Sequence, residues 1–114
     1  MATHFKGPVV SANGFVAGAS GATIKALNSG TVSVDPGTLA AGAETDISVT
    51  ITGVAPGDMV EVMAPNAAAE TGLSVALVWV RAANTVKIRL SNLNAAAALV
   101  GGAQAWTYLW TDLT

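Results

Sequence analysis

The chain contains no cysteine, so disulfides and thiolate metal centres are excluded. It has one histidine, His4, and only 11 % of its residues are charged, against roughly 25 % in an average soluble domain. Five basic side chains (Lys6, Lys25, Arg81, Lys87, Arg89) and a net charge of −2 leave no stripe that could track phosphates, so no nucleic-acid partner is expected. The most apolar stretch, Leu73–Val80, is far shorter than the ~20 residues of a membrane helix, and the alanine-rich run before Gly101 and Gly102 is broken by them. Residues 1–8 carry no apolar core of a signal peptide. No membrane partner is expected, and a cytoplasmic site of synthesis fits these absences.

What is present is apolar: 52 % of the chain is hydrophobic. A lone small domain with so little charge would struggle to stay dispersed, so part of its apolar surface is expected to meet other protein. At 114 residues one domain is expected. Residues 1–30 are rich in glycine and small side chains (Gly7, Gly14, Gly18, Gly21, Gly30) and read as an extended arm, with a first short strand at Thr23–Asn28. Residues 31–114 read as the folded body. There the pattern has period two: Thr31–Asp35, Thr45–Thr52, Asp58–Ala64, Leu73–Arg81, Thr85–Ser91 and Ala105–Thr111. Asp35-Pro36-Gly37 and Pro56-Gly57 supply stops and turns, the latter suited to the centre of a type II turn. Leu73–Arg81 is apolar on both faces, with Leu73, Val75, Leu77 and Trp79 on one and Ala76, Val78 and Val80 on the other, which predicts a central or doubly covered strand. It forms a hairpin with Thr85–Ser91 through Ala82-Ala83-Asn84. Asn92–Gln104 reads as a loop with room for one helical turn at 95–100. The fold expected is all-β: an antiparallel β-sandwich, jelly-roll-like or Ig-like, behind an extended N-terminal arm.

No constellation for chemistry emerges. His4 has no acidic neighbour in sequence. Asp35, Glu44 and Asp46 cluster near a turn, but their spacing matches no calcium loop, and solvated strand ends are the simpler reading. There is no nucleophile elbow and no phosphate loop. An enzyme, a cofactor and a bound metal are therefore not expected. Lys87 and Arg89 read as a solvated strand face. Trp106, Tyr108 and Trp110, at i, i+2 and i+4, share one face of the last strand, with Thr107, Leu109 and Thr111 on the other. Three readings stay open for that row: core packing against Trp79, a subunit interface, or an exposed sugar platform. The candidate protein-interface residues are Phe5, Pro8, Val9, Val10 and Phe15 from the arm, Val78 and Val80 from the two-faced strand, and Trp106, Tyr108 and Trp110.

The segment Phe5-Lys6-Gly7-Pro8-Val9-Val10-Ser11-Ala12-Asn13-Gly14-Phe15 resembles the start of small virion proteins of tailed bacteriophages. The later motifs Val34-Asp35-Pro36, Gly53-Val54-Ala55-Pro56-Gly57-Asp58, Ala83-Asn84-Thr85-Val86 and Trp106-Thr107-Tyr108 extend the similarity along most of the chain. The resemblance implies a capsid decoration or cement protein, a homotrimer seated on the major capsid protein at the virion surface, with no catalytic residues. Tail or fibre components share similar β-rich pieces, and a carbohydrate-binding module built on the C-terminal aromatic row is the alternative from a different class.

Overall fold

The computed structural model of the chain describes residues 12–16, 21, 23–64 and 71–114. His4, Phe5, Pro8, Val9 and Val10 lie outside the described residues. Within them every regular element is a strand: β1 (Phe15–Val16), β2 (Thr23–Ile24), β3 (Ala26–Val34), β4 (Thr38–Leu39), β5 (Glu44–Thr50), β6 (Met59–Met63), β7 (Leu73–Ala82), β8 (Thr85–Asn92), β9 (Leu99–Val100) and β10 (Gln104–Asp112). The alternating pattern prevails over the helix propensity of the alanines, and the one turn of helix expected at 95–100 is replaced by the short strand β9.

Two three-stranded antiparallel sheets, ordered β3-β10-β6 and β5-β8-β7, pack face to face. Short ribbons β1-β2 and β4-β9 flank them. Only β7 and β8 are joined as a hairpin; each other link between the six main strands crosses from one sheet to the other. The orders β5-β8-β7 and β6-β10 match B-E-D and C-F of an Ig-like sandwich, and β3 takes the place of strand G beside F. Both sheets feed one core. Val34 and Trp106 come from the first, Val49, Val86, Ile88 and Leu90 from the second, and Ile51 and Val54 from the β5–β6 connection. The inward parity expected of Val60 and Val62, with Glu61 outward, is observed.

Two sequence expectations are revised. The arm boundary at residue 30 falls inside β3, which pairs with β10 from Ala26↔Asp112 to Val34↔Gln104. Gly30 there is a packing feature, since a Cβ would stand 2.8 Å from the Tyr108 ring that lies across it. The two-faced strand is not central: β7 is an edge strand, and β8 and β10 are the central ones. A β-bulge between Val75 and Leu77 explains the pattern. Leu73 opposes Asn92 and Val75 opposes Leu90. Past the bulge the parity switches, and Val78 and Val80 oppose the buried Ile88 and Val86 while Leu77 and Trp79 oppose Arg89 and Lys87. An extra residue thus moves half of one apparent apolar face to the outside.

The turns tie the sandwich together through side chains. Asn84 adopts φ 62° in the β7–β8 turn, a left-handed conformation that asparagine tolerates. Its Oδ1 accepts from Gly53 N at 2.8 Å, while its own N donates to Val54 O at 2.9 Å. Asp58, just before β6, gathers the end of the chain. Its Oδ2 accepts from Ala55 N at 3.0 Å and Trp110 Nε1 at 3.0 Å, and its Oδ1 from Leu113 N, Thr114 N and Thr114 Oγ1 at 2.9–3.1 Å. Desolvation pulls the Asp58 carboxyl upward, but the hydrogen bonds from Leu113, Ala55, Thr114 and Trp110 outweigh it and hold it below its ordinary value of 3.8. A depressed folded pKa gives stability that is complete above the unfolded value and is lost as pH falls through the lower folded value. Unfolding free energies of wild type and Asp58→Asn from urea denaturation between pH 2 and 6 should therefore differ by about 1–2 kcal/mol at the upper end and converge towards the acid end. A constant difference across the range would refute this role.

Candidate interaction surfaces

The outer face of the β3-β10-β6 sheet is assembled by parity. Because Trp106, Tyr108 and Trp110 turn inward, Thr107 and Leu109 turn outward; because Val60 and Val62 turn inward, Met59, Glu61 and Met63 turn outward. On β3 the outward residues are Leu27, Ser29, Thr31 and Ser33. The register stacks these in rows across the sheet: Thr31, Thr107 and Met63; Ser29, Leu109 and Glu61; Leu27, Thr111 and Met59. Leu27, Met59 and Met63 are more than half exposed and Leu109 is 43 % exposed. Glu61 is the only charge in these rows. A shallow depression of about 290 Å³ lies over Ser29, Glu61, Met63, Thr107 and Leu109.

The outer face of the β5-β8-β7 sheet has a different character. Arg89 Nε donates to Asp46 Oδ1 at 2.8 Å and its second nitrogen to Oδ2 at 3.2 Å, a two-point pairing across β5 and β8. Its guanidinium also lies 5.2 Å from the centre of the Trp79 ring. The Arg89 hydrogen bond, with the positive charges of Arg89 and Lys87, outweighs desolvation and holds the Asp46 carboxyl below its ordinary value. Glu44 Oε1 accepts from Ser91 Oγ at 3.3 Å in the adjoining row. Asp46 is thus committed to Arg89, Glu44 to Ser91, and Asp35 to its own turn through Gly37 N at 2.9 Å. No group of three histidine, cysteine or acidic side chains converges among the described residues.

The structure places Val78, Val80, Trp106, Tyr108 and Trp110 away from these outer faces. Trp106 is 2 % exposed in the core, Tyr108 and Trp110 pack against it, and so do Val78 and Val80. The aromatic row therefore forms no exposed platform, and its core reading holds. Its expected neighbour Trp79 lies on the opposite side of β7, outside the sandwich, where it meets Arg89. Phe15 enters the β1–β2 ribbon opposite Ile24. The outward residues Leu27, Met59, Met63 and Leu109 were not singled out from the sequence. Their outward direction is legible in the sequence, because each alternates with an inward residue. No helix among the described residues is long and apolar enough to cross a membrane. No protein-family model, curated protein or solved structure matches the chain.

Proposed function

We propose that this chain is a non-catalytic structural subunit of a tailed-bacteriophage virion, a decoration protein that binds and braces the major capsid protein as a homotrimer. The observation that carries the assembly part of this reading is the outer face of the β3-β10-β6 sheet. Four large apolar side chains, Leu27, Met59, Met63 and Leu109, stand exposed among small hydroxyl residues with Glu61 as the one charge. Exposed apolar patches of this kind mark protein contacts. The virion part rests on the sequence motifs between Phe5 and Phe15 and their later companions. Repetition on a shell lattice turns modest single contacts into strong attachment.

Light scattering during size exclusion is expected to give three times the 11.3 kDa chain mass. A monomer at micromolar concentration would overturn the trimer. Purified protein should co-sediment with phage heads lacking their decoration protein, and removal of residues 1–22 should weaken that attachment more than it lowers the unfolding midpoint. Binding to tails alone would relocate the protein on the particle, and binding to neither would overturn the virion reading.

A further inference from the structure

Among the described residues, β3 is the least protected of the four edges of the two main sheets. A strand edge presents unpaired N–H and C=O groups, and folded proteins blunt such edges with charge, proline, bulges, shortness or a covering element. The other free edges follow this rule. The β6 edge is five residues long and carries Glu61, the β5 edge carries Glu44 and Asp46, and the β7 edge is bulged near Ala76 and carries Arg81. β3 has none of these protections among the described residues. It runs nine residues, Ala-Leu-Asn-Ser-Gly-Thr-Val-Ser-Val, with no charge and no proline. It pairs only with β10, through one of its two sides, and among the described residues no strand occupies the other.

We infer that this edge pairs with the same edge of a second copy, antiparallel about a twofold axis through Gly30, to make a continuous sheet β6-β10-β3-β3-β10-β6. Of the four main-sheet edges, β3 alone offers a partner both long enough to cover its ~30 Å and free of charge. Full overlap of residues 26–34 with themselves sets Gly30 opposite Gly30, Ser29 opposite Thr31 and Asn28 opposite Val32 of the second copy. In that register inward residues meet inward residues and outward meet outward, so neither core nor outer face is interrupted. The contact also joins the two apolar outer faces, whose Leu27 residues lie on the paired strands. It is a twofold contact and differs from any threefold contact of a trimer. In an assembly it would link neighbouring oligomers.

The chain has no cysteine, which permits a direct test. Ser29→Cys and Thr31→Cys proteins are made separately, mixed and oxidised. Directly opposed residues on paired strands bring their Cβ atoms to within ~5.5 Å, so the mixture is expected to cross-link at least tenfold more than Thr107→Cys with itself, a position on the central strand of the same face. In parallel, wild type at millimolar concentration is expected to exceed the trimer mass by pairing of trimers, and Ser29→Lys/Thr31→Lys, which places lysine opposite lysine twice, is expected to return it to the trimer mass, while Thr107→Lys leaves the larger species unchanged. Circular dichroism confirms that each variant is folded. The inference is overturned if the mixture cross-links no better than the control, or if the double lysine variant keeps the wild-type mass. It is also overturned if Thr107→Lys lowers the mass equally, which would assign the contact to the sheet face. Wild type that never exceeds the trimer mass leaves the proposed function standing while removing the edge pairing, so the two fail separately.

Discussion

Trp106→Ala is expected to remove about 3–5 kcal/mol from the unfolding free energy. A domain of this size has roughly 5–15 kcal/mol in total, so the variant loses about a fifth or more of its stability. The magnitude follows from position. Trp106 sits on the central strand β10 opposite Val32, 2 % exposed, and packs with Val34, Val49, Ile51, Val54, Val86, Ile88 and Leu90. These neighbours come from both sheets and cannot close over the space of an indole without moving strands that are held in register on both sides. Urea denaturation should show a midpoint lower by roughly 2 M at an unchanged m value. Trp79→Ala is the matched control. Trp79 lies on the outer face of β7, where its contact is the Arg89 guanidinium, and its loss should be less than half as large. Equal losses, or the reverse order, would mean that the aromatic row of β10 does not face the core.

Asn92→Asp is expected to cost about 3–5 kcal/mol at neutral pH, although it replaces one atom by another of nearly the same size. Asn92 is 2 % exposed. Its side-chain nitrogen donates to the carbonyl oxygens of Leu39, Ala40 and Ala97 at 3.1, 3.3 and 3.0 Å, and its Oδ1 accepts from Asn94 N at 3.0 Å. The backbone joins the same knot, with Asn92 N donating to Ala43 O and Gly42 N donating to Asn92 O. One amide thus holds β4, the turn before β5 and the loop before β9 around the end of β8. A carboxylate there would face three carbonyl oxygens with no donor of its own. The introduced carboxyl would therefore have its folded pKa raised. Stability linked to it is retained below the unfolded value near ~3.9 and falls as pH rises from there to the folded value. The gap between variant and wild type should widen with rising pH over that window, because here the ionised carboxylate destabilises the fold, whereas the ionised Asp58 stabilises it. Asn92→Ala, which introduces no charge, should cost about 2–4 kcal/mol with no such pH dependence. A pH-independent Asn92→Asp penalty would show that the side chain is solvated.

Much of the sandwich was readable because period two is a direct consequence of strand geometry. The inward residues of β5, β6, β8 and β10 follow from it without any knowledge of partners. Asn84 at the β7–β8 turn and Gly57 after Pro56 were equally legible, since their positive φ values of 62° and 104° are conformations that asparagine and glycine tolerate. The candidate contact residues were read less well, for a specific reason. Size and aromaticity mark a side chain that must bury area somewhere, but they do not say against what. Trp106, Tyr108 and Trp110 bury theirs inside the chain, and the exposed apolar side chains of the β3-β10-β6 sheet are the less conspicuous Leu27, Met59, Met63 and Leu109.

The sequence by itself determined the all-β class, the positions of β5, β6, β7, β8 and β10 and the inward parity of most strands, because each depends on neighbours a few residues apart. Its lack of cysteine, its thin charge and its missing long apolar run also set what the chain could not build. Only the tertiary structure decided which strands lie at the centre, that a bulge at Ala76 turns Leu77 and Trp79 outward, and that Gly30 sits under Tyr108 within an uncharged free edge. Those features depend on pairing between residues tens of positions apart. Local alternation carries no term for such pairing, and it is the pairing that sets which apolar surface remains for a partner.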